Sequence, residues 1–307
     1  MRYTLKRRVL GAPDVIEISK DEFDQWQSTQ EHLLDVLNIE ATFDLLLENY
    51  AEFERDLLDL SHRLSLFREH GEPLGLYREM NRRVTNLLSS ARLYLDQVPQ
   101  DLNSIYGKKS DHAKAFDQCR SKQYDSSFAY RIMEALRNYA QHRGFAVHAM
   151  THSLEREDKT PGFLFRAGLH LLVNIQCLEE SEFKKQVLAE LKPRADRYGY
   201  VELTPLVPEY MERLCEVHES LRGLISADVT SWDQTIISVL NRARHDFGED
   251  LSDLSVVAEE KQPEGEYWDV ESAEIFSQPI DWRKQLEAKN RDFGKLSARY
   301  VTGHASR

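Results

Sequence analysis

Cysteine is scarce: Cys119, Cys177 and Cys215 are the only three in 307 residues. Odd in number and far apart, they exclude a disulfide framework and fit reduced thiols acting as small buried hydrophobes, so a cytoplasmic protein is expected. Long apolar runs are missing as well. The best candidate, LHLLVNIQCL at 169–178, is half the roughly 20 residues that a membrane span needs, so no membrane association is expected. The N-terminal stretch MRYTLKRRVLGAPDV is basic but has no sustained apolar region, which argues against a signal peptide. Positive charge is in deficit: 40 Lys and Arg against 52 Asp and Glu give a net charge of −12. Proteins that coat duplex nucleic acid draw most of their affinity from counterion release and are usually basic. DNA coating is therefore excluded, and any nucleic-acid contact must be local, at a small basic site.

The familiar chemical motifs are absent too. YGKKS (106–110) puts a lysine before a serine but lacks the upstream glycine that lets backbone amides wrap a phosphate. There is no G-x-G-x-x-G, C-x-x-C, H-E-x-x-H or G-x-S-x-G, so neither cofactor nor metal is expected and nothing indicates acyl transfer. His148 and His152 have the spacing of helical zinc ligands. On the strand expected there they would lie about 13 Å apart, too far to share one ion.

What is present is a folded composition, 41% hydrophobic and 30% charged, patterned mainly as helix. Residues 1–18 read as a strand pair, with Tyr3, Leu5, Arg7 and Val9 on one side and a turn at GAPD. From Asp21 the period turns helical. One long segment spans about 41–69, a break follows at HGEPLG, and a second helix runs about 75–97 and ends at QVPQD. A polar connection at 103–125 carries Lys108, Lys109, Lys114, Arg120 and Lys122, a solvated loop or a local phosphate path. Asp125 is the expected N-cap of a helix to about 142, closed by Gly144. GFAVHAMTHSL and GFLFRAGLHLLVNI, flanking EREDKTPG, predict a central β-hairpin. Helices follow at about 179–191, 207–225 and 229–246. Past residue 250 the chain turns acidic and poorly patterned, with one helix near 281–297. The expected organisation is one mostly helical domain over 1–250 and an acidic appendage over 251–307.

Among these features MEALRNYAQHRGFAVH (133–148) raises a chemical question. R-x4-H spacing by itself is uninformative, since it occurs four times: Arg137/His142, Arg143/His148, Arg213/His218 and Arg299/His304. Context distinguishes the first pair. Phe128, Ile132, Ala135, Leu136 and Tyr139 form one apolar stripe, Arg137 points away from it, and Asn138 and His142 stack one turn apart on its flank. Such a helix end is either an ordinary solvated face or the working edge of a site, since histidine suits acid–base work near neutral pH. Thr85, Ser89, Arg92 and Asp96 make a second polar column, read as an exposed or interface face.

YDSSFAYRIMEALRNYAQHRG is similar to the signature of HEPN domains: an Arg, a polar residue, a short gap and a His near the end of a helix. NRRVTNLLSSARLYLDQ resembles the earlier core helix of bacterial members, and the likeness covers about residues 40–145. It implies a four- to five-helix bundle that dimerises with the two motifs facing each other. It also implies a metal-independent ribonuclease of toxin or defence type, with a neutralising or regulatory protein as partner. In that chemistry, attack by the RNA 2′-hydroxyl needs a base, an acid and a cation for the phosphorane. His142 is the candidate base or acid, Arg137 the phosphate clamp and Asn138 the orienting group. Dependence on the 2′-hydroxyl selects RNA over DNA. The alternative is a non-catalytic helical module that uses the same helix end for dimerisation or ligand binding.

Overall fold

A computed structural model describes residues 1–8, 13–66, 73–158, 162–181, 183–291 and 295–298. Val9, part of the GAPD turn, half of the HGEPLG break and the Arg299/His304 pair lie outside them. Among the described residues the chain is mainly helical, with two small antiparallel sheets. No helix among the described residues is long and apolar enough to cross a membrane. The chain divides into two compact units: Met1–Ala41, Val98–Ala113 and Arg222–Arg291 form the first; Thr42–Gln97, Lys114–Leu221 and Asp292–Arg307 the second.

In the first unit, strands β1 (Arg2–Arg7) and β2 (Asp14–Glu17) pair as expected, but within a larger sheet. Its other strands, β6 (Leu254–Lys261) and β7 (Tyr267–Glu274), complete the order β2-β1-β6-β7. These two strands occupy the stretch whose sequence lacks pattern. Leu254 to Glu259 is buried without interruption, so alternation, the usual strand signal, never arises. Helix α1 (Lys20–Leu66) starts on a capping box. The Ser19 hydroxyl accepts from the Glu22 N–H at 3.1 Å, while the Glu22 carboxylate accepts from the Ser19 N–H at 2.8 Å. Phe23, Trp26 and Leu33 of α1 pack in one core with Leu5, Val256 and Ala258 of the sheet. Ile236, Val239 and Leu240 of α7 (Leu206–Phe247) and Ile280 of α8 (Gln278–Lys289) join that core.

Several helices run past their expected ends. The stretches 207–225 and 229–246 are one helix, α7. Helix α2 (Pro73–Tyr106) continues through Pro99, where a stop was expected. Proline cannot donate to the carbonyl four residues back; that carbonyl, Leu95 O, instead faces Arg120 Nη1 at 3.5 Å. The polar connection contains helix α3 (Asp111–Ser126), entered through positive-φ backbone at Gly107 and Lys109. Its only buried residue is Phe116, too little apolar repeat to betray a helix.

In the second unit, helices α1, α2 and α7 meet where the His218 ring stacks on Phe43 at 3.7 Å and its Nδ1 lies 3.0 Å from the Tyr94 hydroxyl. Helix α4 (Phe128–His142) meets α7 through Tyr130 and Tyr210, ring centroids 5.2 Å apart, and Tyr210 donates to Glu134 at 2.7 Å. The expected hairpin is β3 (Ala149–Asp158) with β4 (Phe163–Asn174); an unexpected short strand, β5 (Tyr200–Glu202), extends the sheet to β3-β4-β5. Leu169, Leu171, Val173 and Val201 are buried on one face of it. Two short helices, α5 (Ile175–Glu180) and α6 (Lys185–Leu191), follow β4 in place of the single one expected at 179–191.

Candidate functional site

Helix α4 is capped by Ser127, not Asp125: the Ser127 hydroxyl accepts from the Tyr130 N–H at 3.1 Å and donates to Glu209 at 2.9 Å. At its other end Arg143 is the C-cap. Gly144 follows without left-handed backbone, and its smallness serves a close approach: a Cβ there would lie 3.3 Å from the Tyr139 hydroxyl. Ala129, Tyr130 and Met133 join Ile132, Ala135, Leu136 and Tyr139 in the core, so the apolar face is broader than the predicted stripe.

This leaves Asn138 and His142 exposed, one turn apart, on the wall of a cleft of about 570 Å³. Ala135, Tyr139, Arg143, Ser181, Phe183 and Lys184 complete the lining. None of these residues is a carboxylate, in a chain with a net charge of −12. The other clefts differ: one lined by Arg92 and Arg120 also carries Asp96, Asp125 and Glu134. Arg137 does not line the His142 cleft. Its Nη1 donates to Asn138 Oδ1 at 2.7 Å, while its buried Nε finds no hydrogen-bond partner.

The floor is held by a hydrogen-bond chain. The Asn174 N–H donates to His148 Nδ1 at 2.9 Å, which leaves the ring proton on Nε2, 3.0 Å from the Tyr139 hydroxyl. Burial lowers the His148 pKa, keeping that imidazole neutral, and raises that of Tyr139. Tyr139 also packs edge-on against Phe183. Opposite α4, Lys184 bonds the Tyr124 hydroxyl and sits 4.8 Å over that ring, so its ammonium is partly fixed.

The structure thus brings together Asn138 and His142 and puts Arg137 behind them. Lys184, Ser181 and Phe183 arrive from beyond the hairpin, and no spacing in the sequence connects them to α4. Arg143 was legible, but only as half of another R-x4-H pair. The lysine-containing segment 108–122 contributes nothing to this cleft; its Lys122 lines a different one with Asp117 and Asp125, and its Arg120 pairs with Asp117 at 3.1 Å. Of the remaining pairs, Arg213 bonds Glu216 while His218 is a core residue. His152 contacts Ser65 Oγ at 3.1 Å, so the two histidines at zinc-like spacing have separate partners. In the polar column on α2, Arg92 pairs with Asp96 at 2.6 Å.

Compared with known protein families, with characterised proteins and with solved structures, the chain matches none.

Proposed function

We propose that the chain is a metal-independent ribonuclease of HEPN type that cleaves RNA through attack of the 2′-hydroxyl at the His142 cleft. One observation carries this reading: a histidine and an amide one turn apart share a cleft with Arg143 and Lys184 and with no lining carboxylate. This is the local basic site that a strongly acidic chain needs to meet a polyanion.

His142 exchanges the proton, while Lys184 and Arg143 offset the charge that builds on the phosphorane. The role of Arg137 differs from a direct phosphate clamp. Its bond occupies Asn138 Oδ1 and leaves the Asn138 N–H₂ to donate. One imidazole cannot act as base and acid in a single step, so a second copy of the chain supplies the other.

The test is RNA cleavage in EDTA by wild type, His142→Ala and Lys184→Ala. Wild type should release products ending in 2′,3′-cyclic phosphate. His142→Ala should be slower by about 100-fold, and Lys184→Ala should weaken RNA binding. Cleavage unchanged in His142→Ala would remove that residue from the mechanism. No cleavage by wild type, with binding intact, would assign the cleft to a non-catalytic module.

A further inference from the structure

The sheet β3-β4-β5 has one buried face and one that reaches solvent. On the solvent-reaching face the three strands contribute one polar side chain each, in a row. Ser153 Oγ of β3 lies 2.8 Å from His170 Nε2 of β4, and His170 Nδ1 lies 2.8 Å from Glu202 Oε1 of β5. All three are partly exposed. We propose that Ser153, His170 and Glu202 form a nucleophilic triad that accepts acyl groups from carboxylic esters.

The register explains how the row assembles. Ser153 is paired with Gly168, and His170 with Thr151, so the serine reaches the imidazole diagonally across the position that Gly168 leaves open. A Cβ on residue 168 would stand 3.2 Å from His170 Nε2 and 3.3 Å from Ser153 Oγ. Glu202 is paired with Leu172 and reaches His170 from the other diagonal. The proton positions follow from the chemistry of the partners. An ionised carboxylate only accepts, so His170 Nδ1 carries a hydrogen toward Glu202, and in the neutral ring Nε2 is left to accept from the serine hydroxyl. This is the order nucleophile, base, orienting acid, recognised by geometry rather than by sequence position. The hydrogen bond to Glu202, against the opposing effect of burial, raises the basicity of the ring.

In the first half-reaction Ser153 Oγ bonds to the ester carbonyl carbon while its proton passes to His170 Nε2. The carbon–alkoxide bond then breaks, and the alcohol leaves with that proton. In the second, water attacks the acyl-serine, its proton passing through His170 to Ser153 Oγ as the carboxylic acid departs. Leu172 and Ala149, half-buried on the same face, offer an apolar surface to the acyl group.

The experiment treats the full chain with an alkyl fluorophosphonate and locates the adduct by peptide mass spectrometry, beside hydrolysis of p-nitrophenyl acetate. Wild type should carry the adduct on Ser153. His170→Gln should slow labelling and hydrolysis about 100-fold, and the isosteric Glu202→Gln should slow both by a smaller factor, with far-UV circular dichroism unchanged. No adduct on Ser153 in the folded wild type overturns the triad. An equal labelling rate in folded His170→Gln overturns it as well.

Discussion

The two sheets of this protein use polar residues in opposite ways. In β2-β1-β6-β7 a cluster of opposite charges gathers around one buried carboxylate. Glu259, 4% exposed, is met by Lys6 at 2.7 Å and Arg2 at 3.9 Å, and Lys6 also holds Asp269 at 2.7 Å. In β3-β4-β5 the row Ser153–His170–Glu202 sits at the solvent and centres on a ring that changes charge near neutral pH. A buried pair of permanent charges is a structural device, costly to disturb and chemically inert. A titratable ring between a hydroxyl and a carboxylate is a chemical device that contributes less to stability. Composition does not separate the two; strand register and access to water do.

The sharpest way to break the comparison is Lys6→Ala. Removing the cation leaves Glu259 buried with only the more distant Arg2, and chemical denaturation should show a loss of about 3 kcal/mol. A loss of a few tenths would place this sheet with ordinary surface ion pairs. Next in size is Gly168→Ala. The added methyl crowds His170 and Ser153, and should cost about 1 to 2 kcal/mol while abolishing the fluorophosphonate adduct. Wild-type stability with labelling intact would mean that the open position opposite Ser153 has no part in the row.

The smallest effect is the most discriminating, because the sheets should answer pH with opposite signs. His170 has its pKa raised above 6.5, chiefly by the hydrogen bond to Glu202, so the extra stabilisation of its charged form by Glu202 is fully present below pH 6.5 and is lost as pH rises through the raised value, while the neutral hydrogen bond stays. Asp269 has its pKa lowered from 3.8, chiefly by the hydrogen bond from Lys6. Its contribution is present above pH 3.8 and is lost as pH falls through the lowered value. Amide exchange, corrected for its intrinsic pH dependence, should therefore show weaker protection in β4 as pH rises through the raised His170 value and in β7 only in acid. Parallel responses in the two strands would erase the distinction.

Legibility follows the same physics. Long helices with one buried face announce themselves, and α1, α2 and α4 are readable from Phe43, Val84, Leu136 and their repeats. Their ends are not, because Pro99 and the 225–229 junction of α7 are decided by neighbouring contacts rather than by local preference. Helix α3 has only Phe116 to bury and β6 buries both faces, so neither leaves a period to detect. Within the candidate cleft, Asn138 and His142 could be paired because four residues is one helical turn. Lys184 could not, and neither could Ser153, His170 and Glu202, whose separations carry no period.

By itself the sequence determined a mainly helical chain, the central hairpin, the acidic balance that confines any polyanion to a small basic site, and the stacked Asn138–His142 column. These rest on periodicity and charge, which act over a few residues or over the whole chain. Only the tertiary structure decided that Arg137 bonds Asn138, that Lys184 shares with His142 a cleft whose lining has no carboxylate, and that a serine, a histidine and a glutamate from three strands form one row. Those outcomes depend on strand register and helix packing, which bring distant residues within 2.8 to 4.8 Å and leave no local trace in the chain.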